Sequence, residues 1–235
     1  MPSKRTFAFQ DIHGLVDHAM ELDYFSPEED GHVAIPALWR GGEGKLCLVV
    51  GENASGKSFF RRILGAVCQQ AKEKTEFMPI SMEGRRTIAY NPWLTFVYGD
   101  EETQATGVNS TGTVLSGITT SRSRSSRHVI FWDEPDLGLS DSWAAGMGQK
   151  FAEFAKNPPE HLVGAFIVTH NKALVSQLLD VNPHYLHLGV APHEAPGSLT
   201  EWIERPIKPR DIAKLPDESQ KRFKAIQKIL NRVKP

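Results

Sequence analysis

Gly51-Glu-Asn-Ala-Ser-Gly-Lys-Ser58 is the stretch of sequence that decides the fold. It matches the phosphate-loop pattern G-x-x-x-x-G-K-[ST], in which a glycine-rich turn joins a strand to a helix. The preceding run Lys45–Val50 is almost entirely apolar, which predicts a strand buried on both faces. Ser58–Lys72 carries apolar residues at helical spacing. Strand, loop and helix together predict a nucleotide-binding site.

Each residue type in this loop has a chemical role. Backbone N–H groups and the N-terminus of the following helix form an anion site for the β-phosphate. We expect the Lys57 ammonium to reach the β- and γ-phosphates and the Ser58 hydroxyl to bind Mg²⁺. The predicted ligands are therefore ATP and Mg²⁺. The candidate nucleotide-binding residues of the loop are Gly51, Glu52, Asn53, Ala54, Ser55, Gly56, Lys57 and Ser58.

A second acidic motif follows another apolar run. Val129–Trp132 is followed by Asp133, Glu134 and a proline. Ligands of open parallel sheets bind at the carboxyl ends of the strands, so both acids are expected beside the phosphates. Asp133 is predicted to hold Mg²⁺, and Glu134 is predicted to activate the water that attacks the γ-phosphate. The alternative is a strand end with two solvated acids.

Strand-like and helix-like segments alternate along the chain, which predicts an α/β fold with a largely parallel sheet, that of a P-loop NTPase. The predicted strands are 7–9, 33–39, 45–50, 86–90, 128–132, 164–168 and 185–189. The predicted helices are 58–72, 113–125, 144–154, 172–179 and 217–233. A length of 235 residues favours one domain, residues 1–203, with a basic helical appendage at 204–235.

Composition favours a cytoplasmic protein. Apolar residues make up 40% and charged residues 23% of the chain, as in soluble globular domains. The longest apolar stretch is Leu162–Val168, far below the roughly 20 residues of a spanning helix, so we expect no membrane insertion. No apolar segment of a secretion signal follows Met1. Cys47 and Cys68 are predicted to be reduced, buried thiols.

Positive charge is concentrated in two places. Residues 204–235 contain ten Lys or Arg residues against four Asp or Glu residues, and Arg122, Arg124 and Arg127 lie among serines. A solvated helix face is the favoured interpretation of both clusters. The alternative is binding to nucleic acid or to an acidic partner.

The two motifs together resemble the ATP-binding-cassette (ABC) ATPase superfamily. Asp133-Glu-Pro-Asp-Leu-Gly-Leu-Ser140 is similar to the acidic motif of its soluble RecF/SMC/OLD-type members. The resemblance extends from about Lys45 to about Leu188 and implies an ABC-type ATPase. Only 53 residues separate Lys57 from Ser110, which implies a helical subdomain smaller than that of transporter subunits.

The resemblance implies further site residues. A histidine that contacts the γ-phosphate should follow the next strand, and His170 fits, 36 residues after Glu134. A signature motif should begin a helix and complete the ATP site of a second subunit. Ser110 and Gly112 are preferred for it over Leu115-Ser-Gly117, which begins only 18 residues before Asp133.

Two features that the family implies have no clear counterpart. The glutamine loop lacks its glutamine, and Asn91 or Gln104 is the candidate substitute. The aromatic residue that stacks on adenine has three upstream candidates, for each of which a core position is favoured. These are Tyr24, Phe25 and Trp39.

The resemblance thus implies an ATPase (ATP hydrolase) that forms a head-to-tail homodimer around two ATP molecules. Hydrolysis would drive a conformational switch of an effector protein, for which DNA repair and antiphage defence are the candidate settings. The first alternative is a nucleotide-sensing scaffold that does not hydrolyse ATP. The ATPase subunit of a transporter is the second alternative, and the short helical insert disfavours it.

Overall fold

A computed structural model of the chain describes residues 6–28, 31–81 and 105–233. Within these ranges six strands form one sheet in the order β1-β6-β2-β5-β4-β3. The β1–β6 pair is antiparallel, and the other neighbours are parallel. The predicted α/β class with a largely parallel sheet is therefore confirmed. The strands are β1 Ala37–Arg40, β2 Leu46–Val50, β3 Glu76–Ser81, β4 His128–Asp133, β5 Leu162–Val168 and β6 His184–Leu188.

Helices cover both faces of the sheet. They are α1 Ile12–Met20, α2 Lys57–Gln69, α3 Thr106–Ser123, α4 Asp141–Lys156, α5 Lys172–Ser176, α6 Leu199–Glu204 and α7 Leu215–Val233. Two short 3-10 helices lie at Leu179–Val181 and Ile212–Lys214. None of the helices within the described ranges has both the length and the apolar character that crossing a membrane requires.

The core has two halves, one on each side of the sheet, because successive side chains of a strand point to opposite faces. Along β2, Cys47 and Val49 join the half under α1 and α2, whereas Leu48 and Val50 join the half under α3 and α4. Every residue of β2, β4, β5 and β6 is buried. This explains why β2, β4 and β5 read as nearly continuous apolar runs rather than as alternating ones.

Several predicted elements were wrong or missing. Residues 7–9 form no strand, and Phe7 makes only an isolated bridge with Ala71. The sequence reading missed β3, because Pro79 in its interior argues against a central strand. A proline is tolerated there because β3 is the edge strand of the sheet that the described residues form. The predicted strand 86–90 lies outside the described residues.

The C-terminal helix α7 packs against the body of the protein. Ile226 and Ile229 are buried, and Ile226 belongs to the core half under α1 and α2. The Arg222 guanidinium donates hydrogen bonds to the carbonyl oxygens of Ala34, at 2.7 Å, and Gly189, at 3.3 Å. The segment predicted as an appendage therefore contributes to the core.

The strand order brings the predicted site residues to one edge. Val49 of β2 and Asp133 of β4 both pair with Val168, the last residue of β5. The phosphate loop after β2, the acidic pair at the end of β4 and Thr169-His170 after β5 therefore leave the same edge of the sheet. This is the edge where parallel α/β sheets bind ligands.

Candidate functional site

The loop between β2 and α2 depends on two glycines. Gly51 has φ 152° and Gly56 has φ 103°, a region that glycine enters without the strain of a side chain. A Cβ on Gly51 would lie 2.5 Å from the carbonyl oxygen of Leu188. Gly56 is the N-cap of α2, so the first free N–H groups of that helix border the loop. The backbone therefore has the form of an anion-binding turn.

Lys57 is buried within this loop. Its ammonium donates hydrogen bonds of 2.9 Å to the carbonyl oxygens of Gly51 and Glu52. Burial lowers the pKa of Lys57 to about 8, and the nearby carboxylates, Glu134 first, partly offset this effect. The side chain is therefore mainly cationic at neutral pH, as a phosphate ligand must be.

A cavity of about 1040 Å³ lies against the loop, large enough for a small-molecule ligand. The phosphate-loop residues that line it are Asn53, Ala54, Ser55, Gly56, Lys57 and Ser58. Asp133 and Glu134 line the same cavity, so the structure brings the two predicted motifs together. Ser55 is buried, and its hydroxyl has no hydrogen-bond partner among the described residues.

Asp133 is buried and has a cationic neighbour that the sequence reading missed. Nη1 of Arg61 lies 3.3 Å from Oδ2 of Asp133. Mg²⁺ in nucleotide sites is bound by one or two carboxylates, phosphate oxygens and water. Ser58 and Asp133 line one cavity and supply a hydroxyl and a carboxylate, so the residues present fit a magnesium ion.

Glu134 and His170 face one another across the ends of β4 and β5. Oε1 of Glu134 lies 3.6 Å from Nε2 of His170. Burial, and then the Lys57 charge, lower the pKa of His170 to about 4, so the imidazole is neutral at pH 7. Glu134 has φ 52°, and its N–H donates to the carbonyl oxygen of Val168 at 2.9 Å. This uncommon backbone conformation for a non-glycine residue sets the direction of the carboxylate.

A hydrogen-bond chain fixes the segment that carries His170. The buried Thr169 hydroxyl donates to Oδ1 of Asp136 at 2.8 Å and accepts from the Asn171 N–H at 2.9 Å. The Asn171 side chain in turn caps α5 by accepting from the Leu174 N–H. The sequence reading missed this chain. Two features of the sequence could have indicated this hydrogen-bond chain: the second acid in the Asp-Glu-Pro-Asp stretch and the threonine beside the predicted histidine.

Ser110 and Gly112 do not begin a helix, which corrects the prediction. Helix α3 begins at Thr106, so both residues lie inside it. The Ser110 hydroxyl is fully buried, 2.9 Å from the Thr106 carbonyl oxygen and 2.8 Å from that of Leu137. In this conformation Ser110 is therefore not an exposed anion ligand. Gly112 is exposed, with open space where a Cβ would be.

The three aromatic candidates for adenine stacking do not themselves line this cavity. Trp39 stacks on His184, with ring centroids 5.5 Å apart. Tyr24 packs edge-on against Phe59, and Phe25 lines a second cavity that the loop residues 52–55 also border. The aromatic residues that line the loop cavity, among those described, are Phe59 and Phe223. Asn91 and Gln104, the candidates for the glutamine loop, lie outside the described residues.

The serine-flanked arginines are engaged within the chain. Arg124 pairs with Glu76, and Arg127 pairs with Glu73 at 3.2 Å. The Arg122 guanidinium lies over the Phe154 ring, 6.0 Å from its centroid. Arg124 and Arg127 therefore have acidic partners within the chain, whereas the contact of Arg122 is with an aromatic ring.

No protein-family model matches the sequence, and no curated protein matches it significantly.

Proposed function

We propose that this protein is an ATPase of the ABC type that binds Mg-ATP and hydrolyses it. One observation carries the proposal. The phosphate loop, the Asp133-Glu134 pair and His170 meet at one edge of the sheet, and the first two line one cavity. A strand end with two solvated acids explains neither the buried Lys57 nor the contact between Glu134 and His170.

Binding is assigned to the loop residues. The free N–H groups at the start of α2 and the Lys57 ammonium would hold the β- and γ-phosphates. To do so, Lys57 exchanges the carbonyl oxygens of Gly51 and Glu52 for phosphate oxygens. Ser58 and Asp133 would hold Mg²⁺, which neutralises charge on the phosphates when bound.

Hydrolysis is assigned to Glu134 and His170. The Glu134 carboxylate would accept a proton from water as the water attacks the γ-phosphate. His170, neutral at pH 7, has one ring N–H and one ring nitrogen that accepts. It would therefore orient that water or a γ-phosphate oxygen without adding a charge beside Lys57.

A second candidate function is a nucleotide sensor that does not hydrolyse ATP, and the Arg61–Asp133 ion pair favours it. A cation 3.3 Å from the carboxylate supplies positive charge where Mg²⁺ would otherwise do so. Such a protein would bind ATP without metal and release no phosphate. The measurement of phosphate release separates it from the proposed ATPase.

ATP-dependent dimerisation belongs to the same proposal. In this arrangement two copies would close head to tail over two ATP molecules, and hydrolysis would switch an effector protein. Gly112 is exposed on α3, between Val108 and Leu115, which are 58% and 45% exposed. These residues share one helical face, which is the surface that a second copy would contact.

The test uses two variants of the full chain. Lys57→Ala should weaken Mg-ATP binding more than tenfold, because it removes a charge-assisted contact. Glu134→Gln should bind ATP as the wild type does and lose roughly 100-fold in phosphate release, because it removes the general base. Unchanged ATP affinity in folded Lys57→Ala would refute the site. Wild-type turnover in Glu134→Gln would refute the catalytic assignment.

A further inference from the structure

Helix α7 presents an exposed aromatic ring to the phosphate-loop cavity. Phe223 is 58% exposed, whereas Ile226, one turn further along the helix, is 6% exposed and packs into the core. Phe223 and Leu230 line the cavity together with Lys57 and Ser58. The C-terminal helix therefore places apolar surface opposite a polar, cationic loop.

Side-chain contacts hold this helix against the body of the protein near its middle, beside Phe223, and near its C-terminal end. Arg222, the residue before it, donates to the carbonyl oxygens of Ala34 and Gly189. Toward the end of the helix, the Arg232 guanidinium lies 3.2 Å from the Glu28 carboxylate. An exposed side chain on a helix tied down in this way is pre-organised for a ligand.

Two short links connect Phe223 to the phosphate loop. Gly189, which accepts from Arg222, lies so close to Ser55 that a Cβ on Gly189 would be 2.5 Å from the Ser55 Cβ. On the other side, Phe59 follows Ser58 directly and lines the same cavity. A ligand with its phosphates on the loop would therefore have Phe59 and Phe223 beside the rest of the molecule.

We propose that Phe223 is the platform on which the base of the bound nucleotide stacks, an inference that rests on the proposed function. With the phosphates on the loop, the ribose and base would extend along the cavity that Phe223 lines. An aromatic ring stacks on any nucleobase, and each such stack contributes substantially to affinity. The polar loop and the apolar part of α7 thus match the two halves of a nucleoside triphosphate.

The test compares a ligand that has a base with one that lacks it. ATP and inorganic tripolyphosphate are titrated, each with Mg²⁺, into the wild-type chain, Phe223→Ala and Phe223→Trp. Phe223→Ala should bind ATP about 5- to 100-fold more weakly and tripolyphosphate as tightly as the wild type does. Phe223→Trp should keep the ATP affinity within about twofold, because it keeps the stacking surface.

Ile212→Ala is the matched control, because it removes another exposed apolar side chain outside the cavity and should change neither affinity. If Phe223→Ala lost equal affinity for ATP and for tripolyphosphate, the proposal would be overturned. The substitution would then act on phosphate binding at the loop rather than on the base. Unchanged ATP affinity with a changed oligomeric state would also overturn it, by assigning Phe223 to contact with a second copy. Failure of the wild type to bind either ligand would overturn the proposed function itself.

Discussion

Nη1 of Arg61 lies 3.3 Å from Oδ2 of Asp133, so the carboxylate assigned to magnesium already has a cation beside it. Arg61 follows Lys57 by four residues on α2, and residues four apart share one face of a helix. The two cations on that face therefore have different partners. Lys57 contacts loop carbonyl oxygens, and Arg61 contacts the acid.

Replacing Arg61 with alanine tests whether this ion pair stabilises the metal-free site. We expect the free energy of unfolding of Arg61→Ala to fall by about 1–3 kcal/mol, because the change leaves a buried carboxylate without this partner. Added Mg²⁺ should recover part of the loss. Urea unfolding with and without Mg²⁺ measures both effects. Arg62→Ala, which removes a neighbour without an ion pair among the described residues, should cost less than about 0.5 kcal/mol. Equal losses in the two variants would contradict the prediction.

The pKa of Lys57 predicts how ATP binding depends on pH. Since that pKa is about 8 in the free protein, the ammonium loses its proton as the pH rises above 8. Phosphate binding needs the cation, so ATP affinity should then fall by up to about tenfold per pH unit. Lys57→Arg keeps its charge throughout this range and should show a flatter profile. Titration calorimetry between pH 7 and pH 9.5 measures both curves, and parallel curves would refute the assignment.

The hydrogen bond from the Thr169 hydroxyl to Asp136 predicts that Asp136 helps to position the neighbouring His170. Thr169→Val keeps the shape of the side chain but removes the hydrogen bonds to Asp136 and from Asn171. Phosphate release should slow by roughly tenfold, because His170 is no longer held toward Glu134. ATP affinity should stay within about twofold. Thr119→Val, on an exposed part of α3, is the control and should change neither quantity. Unchanged turnover in Thr169→Val would rule out the positioning role.

The exposed face of α3 is the contact surface predicted for the proposed ATP-bound dimer. Gly112→Arg has open space for its side chain and removes a helical glycine, so the monomer should gain roughly 0.5–1 kcal/mol in stability. In the Glu134→Gln background it should bind ATP and remain monomeric by light scattering. Gly146→Arg on α4, also with open space, is the matched control. Equal dimerisation of both variants with ATP would exclude this face as the interface.

The sequence predicted the elements whose pattern is local. The central strands β2 and β4 are continuous apolar runs, and their bounds were predicted to within one residue. The sequence did not predict the start of α3, because no side chain caps this helix and its many polar residues give no apolar helical pattern. The hydroxyls of Ser110 and Thr111 donate to carbonyl oxygens four residues earlier, which satisfies them inside a helix.

The candidate site likewise contains residues that the sequence predicted and contacts that it could not predict. The phosphate-loop pattern and the acidic strand end suggested that Lys57 and Asp133 belong to one site, and the family resemblance added His170 after the next strand. The Arg61–Asp133 pair and the Thr169–Asp136 hydrogen bond depend on how distant segments pack together. No periodicity or motif encodes such a contact. The same holds for Phe223, which reaches the loop cavity through the packing of α7.

The place of β5 between β2 and β4 sets the order in which the site can be completed during synthesis. Residues 51–58 and Asp133 are translated before Leu162, yet β5 must lie between their strands to bring them to one edge. Until then β4 has one unpaired apolar edge, and β2 has two, because its other neighbour β6 is translated even later. Such unpaired edges favour aggregation. A ribosome-bound chain that has both motifs but lacks β5 therefore has no assembled candidate site and three exposed strand edges that need protection.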